Sequence, residues 1–93
     1  MKTLADFKRA LTLGSKWHAI HASGHDMGIR TVAKVQSNSV AFKTEGKEAL
    51  SWLDFPKSNL FKTNEKNEAL IYWPPLNQGE ENRHILTYKK IGE

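Results

Sequence analysis

The chain has 93 residues and no cysteine, with 39% hydrophobic and 26% charged residues. This composition is typical of an ordinary globular domain rather than a disordered or fibrous chain, and the lack of cysteine excludes disulfides, zinc fingers and thiol catalysis. No apolar run is long enough to span a bilayer, and charged residues interrupt the N-terminal segment. We therefore expect one cytoplasmic domain over residues 1–93, without membrane contact.

The positive charge is concentrated in the first half of the chain. Residues 1–46 contain seven Lys or Arg and three acidic residues, whereas residues 47–93 contain seven of each, so the net charge of +4 belongs to the first half. If that half forms one surface, it would attract an anionic partner. A charge of this size is also expected simply to keep a small domain soluble.

The N-terminal segment predicts one amphipathic helix over residues 3–13. Thr3 and Asp6 fit a capping box, and Gly14 can end the helix in a left-handed conformation. Apolar residues recur at helical spacing at Leu4, Phe7, Ala10 and Leu11.

From Ser15 onward, alternation of apolar and polar residues predicts short strands separated by turns. The predicted strands are, in chain order, residues 17–22, 28–36, 40–44, 49–55, 60–61, 69–73 and 84–90, of which 60–61 is weak. The tight turns between the first four predict a meander, and residues 74–83 form the longest loop.

Several later strands are apolar on both faces, as Leu50 and Trp52 alternate with Leu53 and Phe55. A sheet with one solvated face would not need this pattern. The predicted fold class is therefore α+β, an N-terminal helix packed on a bent antiparallel β-sheet or small SH3-like β-barrel of five to six strands. An open sheet is the second choice, and its uncovered aromatic residues would imply a partner or a dimer.

Basic residues of the first half form the main candidate binding surface. Arg30 and Lys34 are expected to share one face of their strand, with Lys43 close to them across a hairpin, so that a positive stripe would meet phosphates. The alternative is an ordinary solvated sheet face. The candidate contact residues for nucleic acid or another partner are Lys8, Arg9, Lys16, Arg30, Lys34, Lys43, Trp73 and Tyr88.

The aromatic residues divide into expected core and expected surface. Trp17 and Trp52 are expected to be buried, because a domain this short needs most of its tryptophans inside. Trp73 or Tyr88 is expected to be exposed. An exposed aromatic ring beside basic residues can stack on unpaired bases.

The histidine-rich segment around residue 20 is the one cluster that could carry chemistry. In a strand His18 and His21 point to opposite faces, so only His21, His25 and Asp26 could converge on a metal ion. Surface or hairpin histidines are the favoured interpretation. We predict no catalytic residue, no metal ligand and no cofactor, and hence a protein that is not an enzyme.

Four segments carry a resemblance to known sequences: TLADFKRAL, GSKWHAIH, DMGIRTVAKVQSNSVAFKT and SWLDFPK. Over about the first sixty residues, the chain resembles short uncharacterised proteins encoded by phages and plasmids. The resemblance implies an accessory role in a mobile element, such as occluding a host restriction or CRISPR nuclease, and it carries over no functional residue.

Two functional hypotheses follow from the sequence. The first is a small, basic, non-enzymatic domain that contacts nucleic acid or the nucleic-acid-binding groove of another protein. The second is a protein-interaction module, such as a phage- or plasmid-encoded inhibitor of a host nuclease of the anti-restriction or anti-CRISPR type.

Overall fold

A computed structural model describes residues 1–92 as one α-helix and seven strands of a single antiparallel sheet. The helix α1 spans Leu4–Ala10, and a short 3₁₀ turn, Ser58–Leu60, precedes the fifth strand. The strands are β1 (Lys16–His21), β2 (Asp26–Val35), β3 (Ser39–Thr44), β4 (Leu50–Asp54), β5 (Phe61–Thr63), β6 (Ala69–Trp73) and β7 (Arg83–Ile91). The predicted combination of a helix and an antiparallel sheet is confirmed. The described sheet has seven strands rather than five to six, because the segment predicted as weak forms β5, and its strand order does not confirm an SH3-like barrel.

The strand order is β4-β3-β2-β1-β7-β6-β5, which leaves β4 and β5 at the two edges of the sheet. The predicted meander is present as β1 to β4, and a second meander consists of β5 to β7. The two are joined because β1 pairs along its whole length with β7, from Lys16 opposite Ile91 to His21 opposite Leu86.

The helix has the predicted cap at Thr3, begins one residue later than predicted, at Leu4, and ends three residues early, at Ala10. At its start, the Thr3 hydroxyl accepts a hydrogen bond from the Asp6 N–H at 3.2 Å, and the Asp6 carboxylate accepts one from the Thr3 N–H at 3.1 Å. At its end, the Leu11 N–H still donates to the Phe7 carbonyl at 3.2 Å, but the Gly14 N–H already donates to the Val32 carbonyl of the sheet at 2.9 Å.

The helix packs on one face of the sheet, here called the concave face. Phe7 of α1 is fully buried and makes ring contacts with Trp17, Phe61 and Tyr88, with centroids 5.5, 5.3 and 6.2 Å away. The concave face also carries the buried side chains Ala19, Val32, Val40, Phe42, Ala69 and Ile71.

One ring contact shows how strongly the sheet bends. Phe42 of β3 stacks on Tyr88 of β7 with centroids 5.2 Å apart, although β2 and β1 lie between their strands. In a flat sheet three strand spacings would separate them by about 14 Å. The sheet therefore curls around the helix, and its opposite face, here called the convex face, is not covered by α1.

Among residues 1–92, no helix has the length and apolar character needed to cross a membrane.

Replacing Phe7 by alanine should destabilise the fold by about 3 to 5 kcal/mol, through lost burial and the cavity left among three aromatic rings. Leu13→Ala is the matched control, because Leu13 follows the helix but is 70% exposed; it should change stability by no more than about 0.5 kcal/mol. Urea denaturation of each variant gives its change in the free energy of unfolding. Small and equal changes would show that α1 is a loosely attached arm rather than part of the core.

Stability should fall at acidic pH in a way that depends on Asp6. Hydrogen bonds from the N–H groups of Lys2 and Thr3 lower the pKa of Asp6 to about 2, against about 4 in an unfolded chain. The ionised carboxylate therefore contributes stability above about pH 4, and that contribution is lost as the pH falls toward 2.

Thermal unfolding of the wild type and Asp6→Asn at several pH values tests this. The difference in Tm should be largest above pH 4 and shrink toward pH 2. Glu81→Gln, in an exposed loop, corrects for the loss of one negative charge. A difference in Tm that stays constant over this range would contradict the role given to Asp6.

Candidate functional site

The convex face carries lysines of the first half of the chain on adjacent strands. Residues directly opposite each other in an antiparallel pair share a face. Thr31 of β2 lies opposite Lys16 on one side and Lys43 on the other, and Lys34 lies opposite Ala41 of β3. All three lysines are exposed.

The pairing of β1 with β7 extends this face with lysines that the sequence analysis missed. His18 lies opposite Lys89 of β7, and Leu70 of β6 lies opposite Lys62 of β5. Both lysines come from the half of the chain with no net charge, so the charge distribution along the sequence gave no signal. We call the resulting set the lysine face: Lys16, Lys34, Lys43, Lys62 and Lys89.

Fewer acidic residues than lysines lie on the convex face. Asp26 contacts His18, with the carboxylate Oδ1 2.8 Å from Nε2, and its pKa is lowered by the Gly28 N–H and by this histidine. Glu68 lies 3.9 Å from the Lys89 ammonium. Asp54 lies at the edge of the sheet, on β4. The face therefore has an excess of positive charge.

Arg30 does not belong to the lysine face. The register of β2 against β3 shifts between Val32 and Lys34, which marks a bulge that reverses the alternation of side chains. Arg30 lies opposite Trp17 and is directed to the concave side, whereas Lys34 is on the convex side. The expectation that Arg30 and Lys34 share one face is therefore wrong.

Tyr88 is also not a surface residue, contrary to its place among the candidate contact residues. Its side chain is fully buried and its hydroxyl accepts a 2.8 Å hydrogen bond from Arg30 Nη1. Burial raises the pKa of Tyr88, and the nearby guanidinium opposes this rise. Arg30 and Tyr88 thus form a partly buried polar pair on the concave side of the sheet, and the Nε of Arg30 is buried with no hydrogen-bond partner among residues 1–92.

The two remaining basic candidates lie on α1, away from the lysine face. Arg9 forms an ion pair with Asp6 within the helix. Lys8 is exposed and places its ammonium 4.9 Å from the centre of the Phe55 ring.

Two tryptophans are exposed on either side of a groove. Trp73 is 54% exposed, as expected, whereas Trp52 is 51% exposed and the expectation of its burial is wrong. The reason is the register of β4: Leu53 lies opposite the buried Val40, so that Trp52 is directed to the other side of the strand.

This tryptophan groove lies between the edge strand β4 and strand β6 and has a volume of about 390 Å³. Its lining is mostly apolar, and Asp54 is the acidic residue in it. The lining residues are Trp52, Leu53, Asp54, Phe55, Pro56, Leu60, Ile71, Tyr72, Trp73 and Leu86.

Cations surround the groove. Lys8 lies over the ring of Phe55, Lys62 lies 5.2 Å from the centre of the Tyr72 ring, and Arg83 lies 5.9 Å from the centre of the Trp73 ring. Every cation–π contact in the part of the chain that the structure describes involves an aromatic residue of this groove. The groove is therefore apolar inside and positively charged at its rim.

The histidine segment does not bring His21, His25 and Asp26 together as a group. His21 Nδ1 is hydrogen-bonded within its own turn to Ser23, and it is His18 rather than His21 that contacts Asp26. Residues 1–92 contain no group of three His, Cys, Asp or Glu side chains arranged to hold a metal ion.

Comparisons with models of protein families, with curated proteins and with solved structures find no match to this chain.

The hydrogen-bonded pair of Arg30 and Tyr88 should be energetically coupled. Tyr88→Phe removes the hydroxyl that accepts from the guanidinium, and loss of a hydrogen bond to a charged group costs about 1.5 to 3 kcal/mol. In the Arg30→Met background, where no guanidinium is left unpaired, the same change should cost less than about 0.5 kcal/mol. Urea denaturation of the four proteins gives the coupling, and equal costs in the two backgrounds would show that the hydrogen bond contributes nothing.

Proposed function

We propose that this protein binds nucleic acid through the lysine face of its sheet. The observation that supports this is the placement of five exposed lysines, from both halves of the chain, on one uncovered face. Phosphate groups bound there would release condensed counterions, which is the main source of affinity in binding that does not depend on base sequence.

The size of the lysine face suits several phosphates. It extends from Lys43 on β3 to Lys62 on β5, which is five strand spacings in the order of the sheet. At about 4.8 Å per spacing, the path across these strands is about 24 Å at the backbone, measured around the curve of the sheet rather than straight across it. Half-buried Ile20, Ile29 and Leu70 lie between the lysines and form an apolar floor.

The second candidate function is a protein-interaction module, such as an inhibitor of a host nuclease. The observation that favours it is the pair of exposed tryptophans beside the free edge of β4, because tryptophan is enriched among the residues that dominate binding at protein interfaces. A nucleic-acid-binding groove is itself positively charged, so the lysine face would be repelled from it. Such an inhibitor would have to dock through its tryptophan side.

A salt titration of binding to labelled single-stranded and double-stranded DNA and RNA tests the first candidate. Affinity should fall steeply as salt rises. In the Lys16→Glu/Lys34→Glu variant, two phosphate contacts are lost, and the slope of log K against log salt for a single strand should become shallower by about 1.4, or about 0.7 per contact.

Lys2→Glu/Lys66→Glu is the control. It changes the net charge by the same amount, and neither residue lies on the lysine face. It should retain nearly the wild-type slope. Equal effects of the two double variants would mean that only net charge matters, and the lysine face would lose its role. Absence of binding at low salt would exclude the function altogether.

A further inference from the structure

We propose that the tryptophan groove receives unpaired bases, so that the preferred ligand is single-stranded rather than double-stranded nucleic acid. This inference rests on the proposed function and names its ligand class. It assigns the phosphates to the lysine face and the bases to the groove.

The groove has the chemistry that an unpaired base requires. Its floor is apolar, with Leu60, Ile71 and Leu86, and its volume of about 390 Å³ falls in the range of sites that enclose small planar molecules. Trp52 and Trp73 each leave about half of the side chain exposed. Because every base has an apolar π-face, such rings bind bases without regard to sequence.

The charge at the rim matches a strand whose bases enter the groove. Lys8, Lys62 and Arg83 lie over three aromatic rings of the lining, so that cations stand where the phosphates on either side of an inserted base would pass. Asp54 is the acidic residue of the lining, and its carboxylate can accept a hydrogen bond from the amino group of a base.

The groove is continuous with the lysine face. Trp52 lies opposite Ala41, which in turn lies opposite Lys34, so that one cross-strand row leads from the groove to the lysine face. On the other side, Lys62 belongs to the lysine face and also covers Tyr72 of the groove. A single strand can therefore follow the lysines and place bases beside the tryptophans, whereas the bases of a duplex are held in their stack.

Tryptophan fluorescence and binding affinity test this inference together. The probes are an oligothymidylate of about 15 nucleotides and a mixed-sequence DNA duplex of similar length. The single strand should quench the emission of the exposed tryptophans, while the third tryptophan, Trp17, is fully buried and serves as the internal reference.

Trp52→Ala/Trp73→Ala should bind the oligothymidylate at least about tenfold more weakly, since loss of a stacking partner removes a substantial share of the affinity for each base. Its affinity for the duplex should change by less than about twofold, and its salt dependence should stay that of the wild type, because the phosphate contacts remain. Trp52→Phe/Trp73→Phe, which keeps aromatic rings, should recover most of the loss.

Leu13→Ala/Leu76→Ala is the matched control, because both leucines are exposed and lie outside the groove; it should bind both probes like the wild type. Equal loss of single-strand and duplex binding in the alanine variant, or no loss, would overturn the inference while leaving the lysine face intact. A wild-type dimer that dissociates in the alanine variant would identify a second copy of the chain as the occupant of the groove and overturn the inference. Failure of the wild type to bind either probe would overturn the proposed function itself.

Discussion

The short helix must fill the interior of a much wider sheet, and this requirement shapes the molecule. Its seven residues give α1 a length of about 10 Å, whereas seven flat strands would extend over about 29 Å. A flat sheet would leave most of its apolar face in water. Bending brings Phe42 onto Tyr88 and places Phe7 against the rings of three different strands. One short helix is therefore enough to fill the space inside the curved sheet.

The same bend creates both surfaces on which the functional proposals rest. Among residues 1–92 it leaves a convex face without a covering element, and there strand register determines to which side the lysines are directed. It also brings the edge strand β4 toward β6, so that apolar residues from opposite parts of the sheet line one groove. Register shifts in the β1–β2, β2–β3 and β6–β7 pairs accompany the curvature, as bulges do in strongly twisted sheets.

Local features of the fold could be predicted from the sequence, and long-range features could not. The capping box of Thr3 and Asp6 and the strand Ala69–Trp73 follow from hydrogen-bonding groups and periodicity within a few residues. The bulge in β2 has no comparable signal, yet it alone reverses the direction of Lys34 relative to Arg30. The pairing of β1 with β7 links segments that are about seventy residues apart, and no turn between them specifies it.

Charge along the chain is therefore a poor guide to charge in space. Of the cations in the first half, Arg30 is directed inward to Tyr88 and Arg9 is paired with Asp6, so neither adds to the convex face. Lys62 and Lys89 come from the neutral half and do add to it, because strand pairing brings their side chains to that face. An excess of lysine forms a positively charged surface only where register directs several of these side chains to one side of the sheet.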